Sequence, residues 1–339
     1  MNMKTKIITI LSIFAIMISS GCTGGNVENL ATKGVVINSF YFEPTELVNG
    51  EDGTLELEIQ NIGGTTAQRV NAYLFAGLVG NGSYFKITDD EATKDKDQTF
   101  GELQKAFGDV AGPDPVNNID SFPLTHIWDF ANPSDGGYDH APEGIPIPFN
   151  PKVRVCYVYN TTSTAEFTVI SQDELRLQTQ RGVYNEKPVV TKSSAGPIAI
   201  NIITPQPIKA KENKKINIMV EVKNRDISGL VYSSPSEINK CMNATHLKKN
   251  KNKISVVVDI PDLGDKCKIN GDPDQSCTIT KNITLTKGGR EGRATFTFEV
   301  PTLNKIVPTE ARFHIILTST YGYFVEDICS FTLNNEGSL

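Results

Sequence analysis

Six cysteines, four histidines and one tryptophan are the residues of this 339-residue chain whose chemistry could go beyond packing. Cys22 stands apart from Cys156, Cys241, Cys267, Cys277 and Cys329. Five is an odd number, so at least one of these stays unpaired or bonds to another chain. Cys267 and Cys277 flank Asn270-Gly271-Asp272-Pro273-Asp274, a turn-forming stretch that makes the loop between them easy to close. In an oxidising compartment that bond contributes about 2–3 kcal/mol. Elimination then pairs Cys241 with Cys329. Cys156, inside the strand-like run Val153–Tyr159, reads as a small apolar packing residue. None of the spacings is that of a zinc knuckle or a Cys-x-x-Cys redox pair.

The histidines, His126, His140, His246 and His314, belong to no His-Glu-x-x-His pattern, and Gly-x-Ser-x-Gly and glycine-rich phosphate loops are also missing. His314 lies in the apolar run Ala311–Leu317 and reads as structural. A triad assembled only in space leaves no trace in sequence order, so an envelope hydrolase is the weaker alternative to a protein that is not an enzyme and uses no cofactor. Asp95-Lys96-Asp97, Asp135–His140 and Asp272-Pro273-Asp274 lack the ligand spacing and distal Glu of a calcium loop, so no bound metal is expected. The lysines at 248, 249, 251 and 253 read as a solvated loop. Within Ser121–Phe130, alternation places Phe122, Leu124, His126, Trp128 and Phe130 on one face. The favoured reading makes Trp128 a core residue. The rival reading gathers His126, Trp128, Asp139 and His140 into a binding surface.

At the front, Lys4 and Lys6 precede twelve mostly apolar residues, Ile7–Ile18, a stretch too short to span a bilayer. Ser19-Ser20-Gly21 then leads directly to Cys22. This resembles the lipobox of exported lipoproteins, with Ser19 where a leucine is usual. The resemblance implies a signal peptide over residues 1–21, a lipid on Cys22 and a polar tether over 22–33. Without Lys4 and Lys6 the chain holds 31 basic against 39 acidic residues, a balance that argues against a nucleic-acid partner. Four Asn-x-Ser/Thr triplets, at Asn81, Asn160, Asn243 and Asn282, fit glycosylation of an exported protein.

What must position these residues is mostly strand. Val35–Asn61 can be laid on Ile198–Asn224 at a constant offset that superposes Asn38 on Asn201, Pro44 on Pro207 and Asn61 on Asn224. Leu55, Leu57 and Ile59 then fall on Ile218, Val220 and Val222, and such period-two alternation is that of a strand with one buried face. We read this as an internal duplication. Further strands are expected near 67–75, 84–87, 152–159, 165–170, 254–260, 277–285, 293–300, 312–318 and 323–333. Thr99-x-x-Glu102 with Leu103 and Phe107 predicts a short helix over 100–108. The fold class is therefore all-β, two β-sandwiches in tandem: the first over 34–176 with a long loop insertion at 88–149, the second over 197–333. A linker at 177–196 separates them, and 334–339 forms a tail.

Leu55–Phe75, LELEIQNIGGTTAQRVNAYLF, with its Asn61-Ile62-Gly63-Gly64 turn, resembles the immunoglobulin-like modules of archaeal and bacterial surface proteins, closest to the cell-adhesion-related type. In the second copy the glycine comes later, at Gly229. The resemblance implies an extracellular display or adhesion module without catalytic residues. The expectation is a cell-envelope protein held on the membrane by lipid at Cys22, with a structural, adhesive or protein-binding role toward another envelope protein or a glycan. The alternative is a lipoprotein that binds a ligand or scaffolds a membrane complex.

Overall fold

A computed structural model describes residues 32–76, 85–89, 92–93, 103–114, 116–132, 140–210, 215–264, 266–267, 277–301 and 303–335. Most of the regular structure among the described residues is β, as the alternating pattern predicts. Two strands of 19 residues, Lys152–Ile170 and Glu310–Ile328, pair antiparallel along their whole length, from Lys152 opposite Ile328 to Ile170 opposite Glu310. They form the centre of a nine-stranded sheet. On one side Ala67–Ala76 pairs with the start of the first long strand, followed by Gln104–Val110 at the edge. On the other, Gly229–Tyr232 and Lys253–Asp259 pair with the second long strand, and Thr278–Thr284 forms that edge.

Each half of the chain adds its own second layer. In the first, Val35–Glu43, Asp52–Asn61 and Leu124–Ala131 pair in that order and extend to Lys86–Asp89 and Ala92–Thr93. In the second, Ile198–Ile202, Lys215–Asn224 and Glu291–Glu299 form a three-stranded sheet. Leu55, Leu57, Ile59, Trp128 and Phe130 enter the same core as Ala72, Val153, Val155 and Tyr157 of the shared sheet. Burying these faces is the main stabilising term, at roughly 25 cal/mol per Å² of apolar surface removed from water.

The match between the two copies extends to three dimensions. Val35 pairs with Asn61 as Ile198 pairs with Asn224. Both copies carry a cis X-Pro bond at the aligned position, Glu43-Pro44 and Gln206-Pro207. Leu55, Leu57, Ile59, Ile218, Val220 and Val222 are all fully buried, whereas Met219, the apolar exception to the alternation, is exposed. Asn61 Oδ1 accepts from Gly63 N, and its Nδ2 donates to Thr65 O and Val110 O. Asn224 repeats this with Asp226 N and Gly229 O. An amide side chain that replaces backbone partners closes both corners.

The structure corrects several expectations. The stretch Asn160–Thr164, expected to separate two strands, continues one, and so does Ser319–Gly322. Asn160 faces Thr320 and Thr161 faces Ser319, so the two polar interruptions pair with each other at mid-strand. The helix expected over 100–108 is the edge strand Gln104–Val110 over its described part; Thr99–Glu102 lies outside the described residues. Leu103 and Phe107 are four apart, a spacing that serves a helix face and a strand face equally.

The expected domain boundary is crossed by the shared sheet, and Ala31–Leu339 forms a single compact unit. Within the expected linker, Gln172–Gln180 is a helix that runs into it, and Thr191–Ser193 pairs with Ser163–Ala165. The C-terminal strand Phe331–Asn334 returns to the first half, pairing parallel with Glu46–Val48 and antiparallel with Ile147–Phe149. There Phe331 stacks on Phe42 and Phe149, with centroids 3.7 and 5.0 Å away.

Candidate functional site

Of the four residues offered as a binding surface, the structure brings two together. Trp128 is fully buried and His126 nearly so, their rings edge to face at 4.5 Å. They face the core, as the favoured reading has it, because they alternate inward along a strand bonded to Asp52–Ile59. His140 is exposed elsewhere, and Asp139 lies outside the described residues. Among the described residues, the insertion contributes the strands Gln104–Val110 and Leu124–Ala131, and the second of these belongs to the second layer of the first half.

The cysteines are rearranged. Cys267 and Cys277 are bonded as expected. Cys241 is bonded to Cys156, not to Cys329, and Cys329 is a free, half-buried thiol. Over Val155–Tyr159 the long strand is buried on both faces, so Cys156 points away from the main core. Above it lie a 3-10 segment, Pro235–Met242, and the helix Ala244–Asn250, which cover Tyr73, Cys156, Val158, Tyr232 and Phe324. Arg154 helps to hold this cover. Its guanidinium lies between the rings of Phe75 and Phe324, pairs with Glu326 and donates to Cys241 O at 2.7 Å. Arg69 donates to Pro235 O and Ser236 O. Burial pushes the Cys329 thiol up to about 12, with Asp327 adding to the shift, so it is not a thiolate nucleophile at neutral pH.

Sequence reasoning missed the polar centre of the molecule. Tyr157, Tyr159, Tyr321 and Tyr323 are buried side by side where the two corners approach the long strands. Thr65 N donates to Tyr159 Oη at 3.2 Å, and Tyr323 Oη donates to Asn224 Oδ1 at 2.9 Å. Tyr321 Oη meets Thr161 Oγ1 at 2.9 Å. Arg225 donates to Ser194 O and Gly196 O, and Ser228 donates to Asp226 Oδ1. Burial raises the pKa of Tyr157 well above its ordinary value, with Tyr323, Tyr321 and Asp226 adding to the shift, and burial also raises Tyr321 and Tyr323. These phenols stay neutral. Their chemistry is hydrogen bonding, and the alternation of Tyr157 with Tyr159 and of Tyr321 with Tyr323 was the available signal.

His314 and His246 are partnered by carboxylates and an amide. His314 Nδ1 lies 3.0 Å from Asp262 Oδ2, whose pKa is lowered chiefly by the hydrogen bond from His314 N. His314 Nε2 lies 3.8 Å from Glu166. His246 faces Glu237 and Asn250. Among the described residues no group of three or more His, Cys, Asp or Glu could hold a metal ion. Of the triplet asparagines, Asn160, Asn243 and Asn282 are exposed, while Asn81 lies outside the described residues. Asn243 also caps its helix, accepting from His246 N at 2.9 Å.

No family model matches the chain, and no curated protein matches it. Among solved structures, an alkylpurine DNA glycosylase from Pseudomonas fluorescens is similar over 37% of this chain and 27% of its own, at 12% identity and a TM-score of 0.18. A sporulation control protein from Bacillus subtilis is similar over 56% of this chain and 79% of its own, at 9% identity and a TM-score of 0.18. For a Porphyromonas gingivalis protein of unknown function the shares are 80% and 86%, at 9% identity and a TM-score of 0.18. The chain thus spans about a quarter of the glycosylase's length. Likenesses this slight carry no argument about activity.

Proposed function

We propose that this chain is an exported cell-envelope protein, anchored by lipid on Cys22, with immunoglobulin-like β-sandwich halves in a structural, adhesive or protein-binding role. The observation that carries the reading is the Cys156–Cys241 bond, which ties segments 85 residues apart in an all-β body. The cytosol keeps such thiols reduced, whereas exported proteins retain the bond. The leader and the small residues before Cys22 support the same compartment. No helix among the described residues is long and apolar enough to cross a membrane.

The partner is another envelope protein or a glycan, met at the outer face of the cytoplasmic membrane or on the cell surface. Rigid strands that hold ordered loops suit recognition, because the scaffold fixes the loops and leaves their sequence free. Labelled fatty acid fed to intact cells tests the anchor: label on the natural chain and none on Cys22→Ser supports it. Equal labelling of both chains, or protection of the natural chain from protease added outside the cell, contradicts it.

A further inference from the structure

The loop between Val110 and Leu124, in the first half, holds three apolar side chains in water within seven residues. Val116 is 90% exposed, Ile119 49% and Phe122 77%. Slack chain does not explain this. Asp114 and Ile119 exchange backbone hydrogen bonds at 2.8 and 3.0 Å, and Asp114 Oδ1 accepts from Val116 N and Asn117 N. Single exposed apolar residues need no explanation, but a braced group of three does.

The root of this loop is the point where the segment from Cys22 enters the fold. Ile62 N donates to Gly34 O at 3.0 Å, and Val36 pairs with Gln60. On the outgoing side Asn61 Nδ2 donates to Val110 O, and a Cβ on Gly112 would lie 2.3 Å from Gly63 O. On the returning side Gln60 Nε2 donates to Ser121 O at 2.7 Å, next to Phe122. Ten residues lie between Cys22 and Lys33, and the eleven steps from one to the other reach at most about 40 Å fully extended. A lipid on Cys22 therefore keeps the root of the loop within about 40 Å of the bilayer, so the loop can reach the surface.

We infer that Val116, Ile119 and Phe122 insert into the membrane interface and orient the body on its anchor. The inference rests on the proposed lipidation of Cys22. Small apolar groups on a polar body enter the zone between headgroups and acyl chains, and a second contact strengthens attachment by a lipid. The neighbouring carboxylates Asp109, Asp114 and Asp120 favour a zwitterionic surface over an anionic one.

The test uses the full lipidated chain carrying Phe122→Trp, in phosphatidylcholine vesicles with or without brominated acyl chains. The natural chain, whose one tryptophan is buried, supplies the background to subtract. The inference expects at least a twofold loss of the added emission in brominated vesicles, and a loss of that quenching when Val116→Ser and Ile119→Ser are added. A chain that floats with the vesicles while its new indole is quenched only by aqueous iodide overturns the inference and leaves the anchor standing. A membrane-extracted chain whose mass shows no acyl group on Cys22 overturns both.

Discussion

Glu221 is the clearest single residue at which charge stabilises this fold. It is almost fully buried, accepts from Arg293 at 2.9 and 2.6 Å, and pairs with Lys223 at 2.8 Å. Lys223 first, then Arg293, hold its pKa below the ordinary carboxylate value against the opposing effect of burial. A depressed folded pKa stabilises above the unfolded value and is lost as pH falls through the folded one. Glu221→Gln should therefore cost about 1–2 kcal/mol at pH 7, and the deficit should shrink once the pH falls below about 4. Urea unfolding at pH 7 and pH 3 measures this; a deficit independent of pH contradicts it. The corners make a second residue-scale prediction. A Cβ on Gly63 would lie 2.0 Å from Tyr159 Oη, and one on Gly229 would lie 2.2 Å from Tyr323 Cε1. Each Gly→Ala change should cost about 1–3 kcal/mol through overpacking, seen as a lowered Tm. A change within a few tenths would place the tyrosines elsewhere. At this scale the apolar positions were legible, because alternation states which face is buried. The partner of Cys241 was not, because elimination among cysteines contains no distances and nothing local shows that Cys156 faces the cover.

Among elements, Phe331–Asn334 carries the most testable consequence. It belongs to the second half in sequence and to the first half in space, where Phe331 packs with Phe42, Phe85 and Phe149. Phe331→Ala should destabilise the protein by about 3–5 kcal/mol. Emission of Trp128, which lies in the first half, should report the loss at lower urea, and an unchanged midpoint would show that the strand does not complete that core. The sequence signalled a strand here, since its alternation is local, but not its destination. The same limit explains Asn160–Thr164. A polar run inside a strand looks like a turn unless the facing polar run, Ser319–Gly322, is known to lie opposite. Gln104–Val110 was misread for another reason, the shared four-residue spacing of its apolar positions.

For the whole molecule, the two long strands join the two halves, each with its copy of the repeated pattern, through one sheet. Tandem independent sandwiches would unfold in two steps. A shared sheet, a disulfide from Cys156 to Cys241 and a returning C-terminal strand predict one step. Trp128 emission and far-ultraviolet circular dichroism should give the same denaturation midpoint, and separate midpoints would restore independent domains. The match between Val35–Asn61 and Ile198–Asn224 was legible because each copy shows its own local pattern. The fusion was not, because pairing between residues 160 apart leaves no mark on either strand. The two disulfides fit a body folded in an oxidising space, as the proposed export requires. Alkylating intact cells before lysis, then mapping peptides without reduction, tests it most directly. Cys156 should be linked to Cys241, Cys267 to Cys277, and Cys329 should be in neither bond; recovery of all five as alkylated thiols would contradict export to an oxidising space.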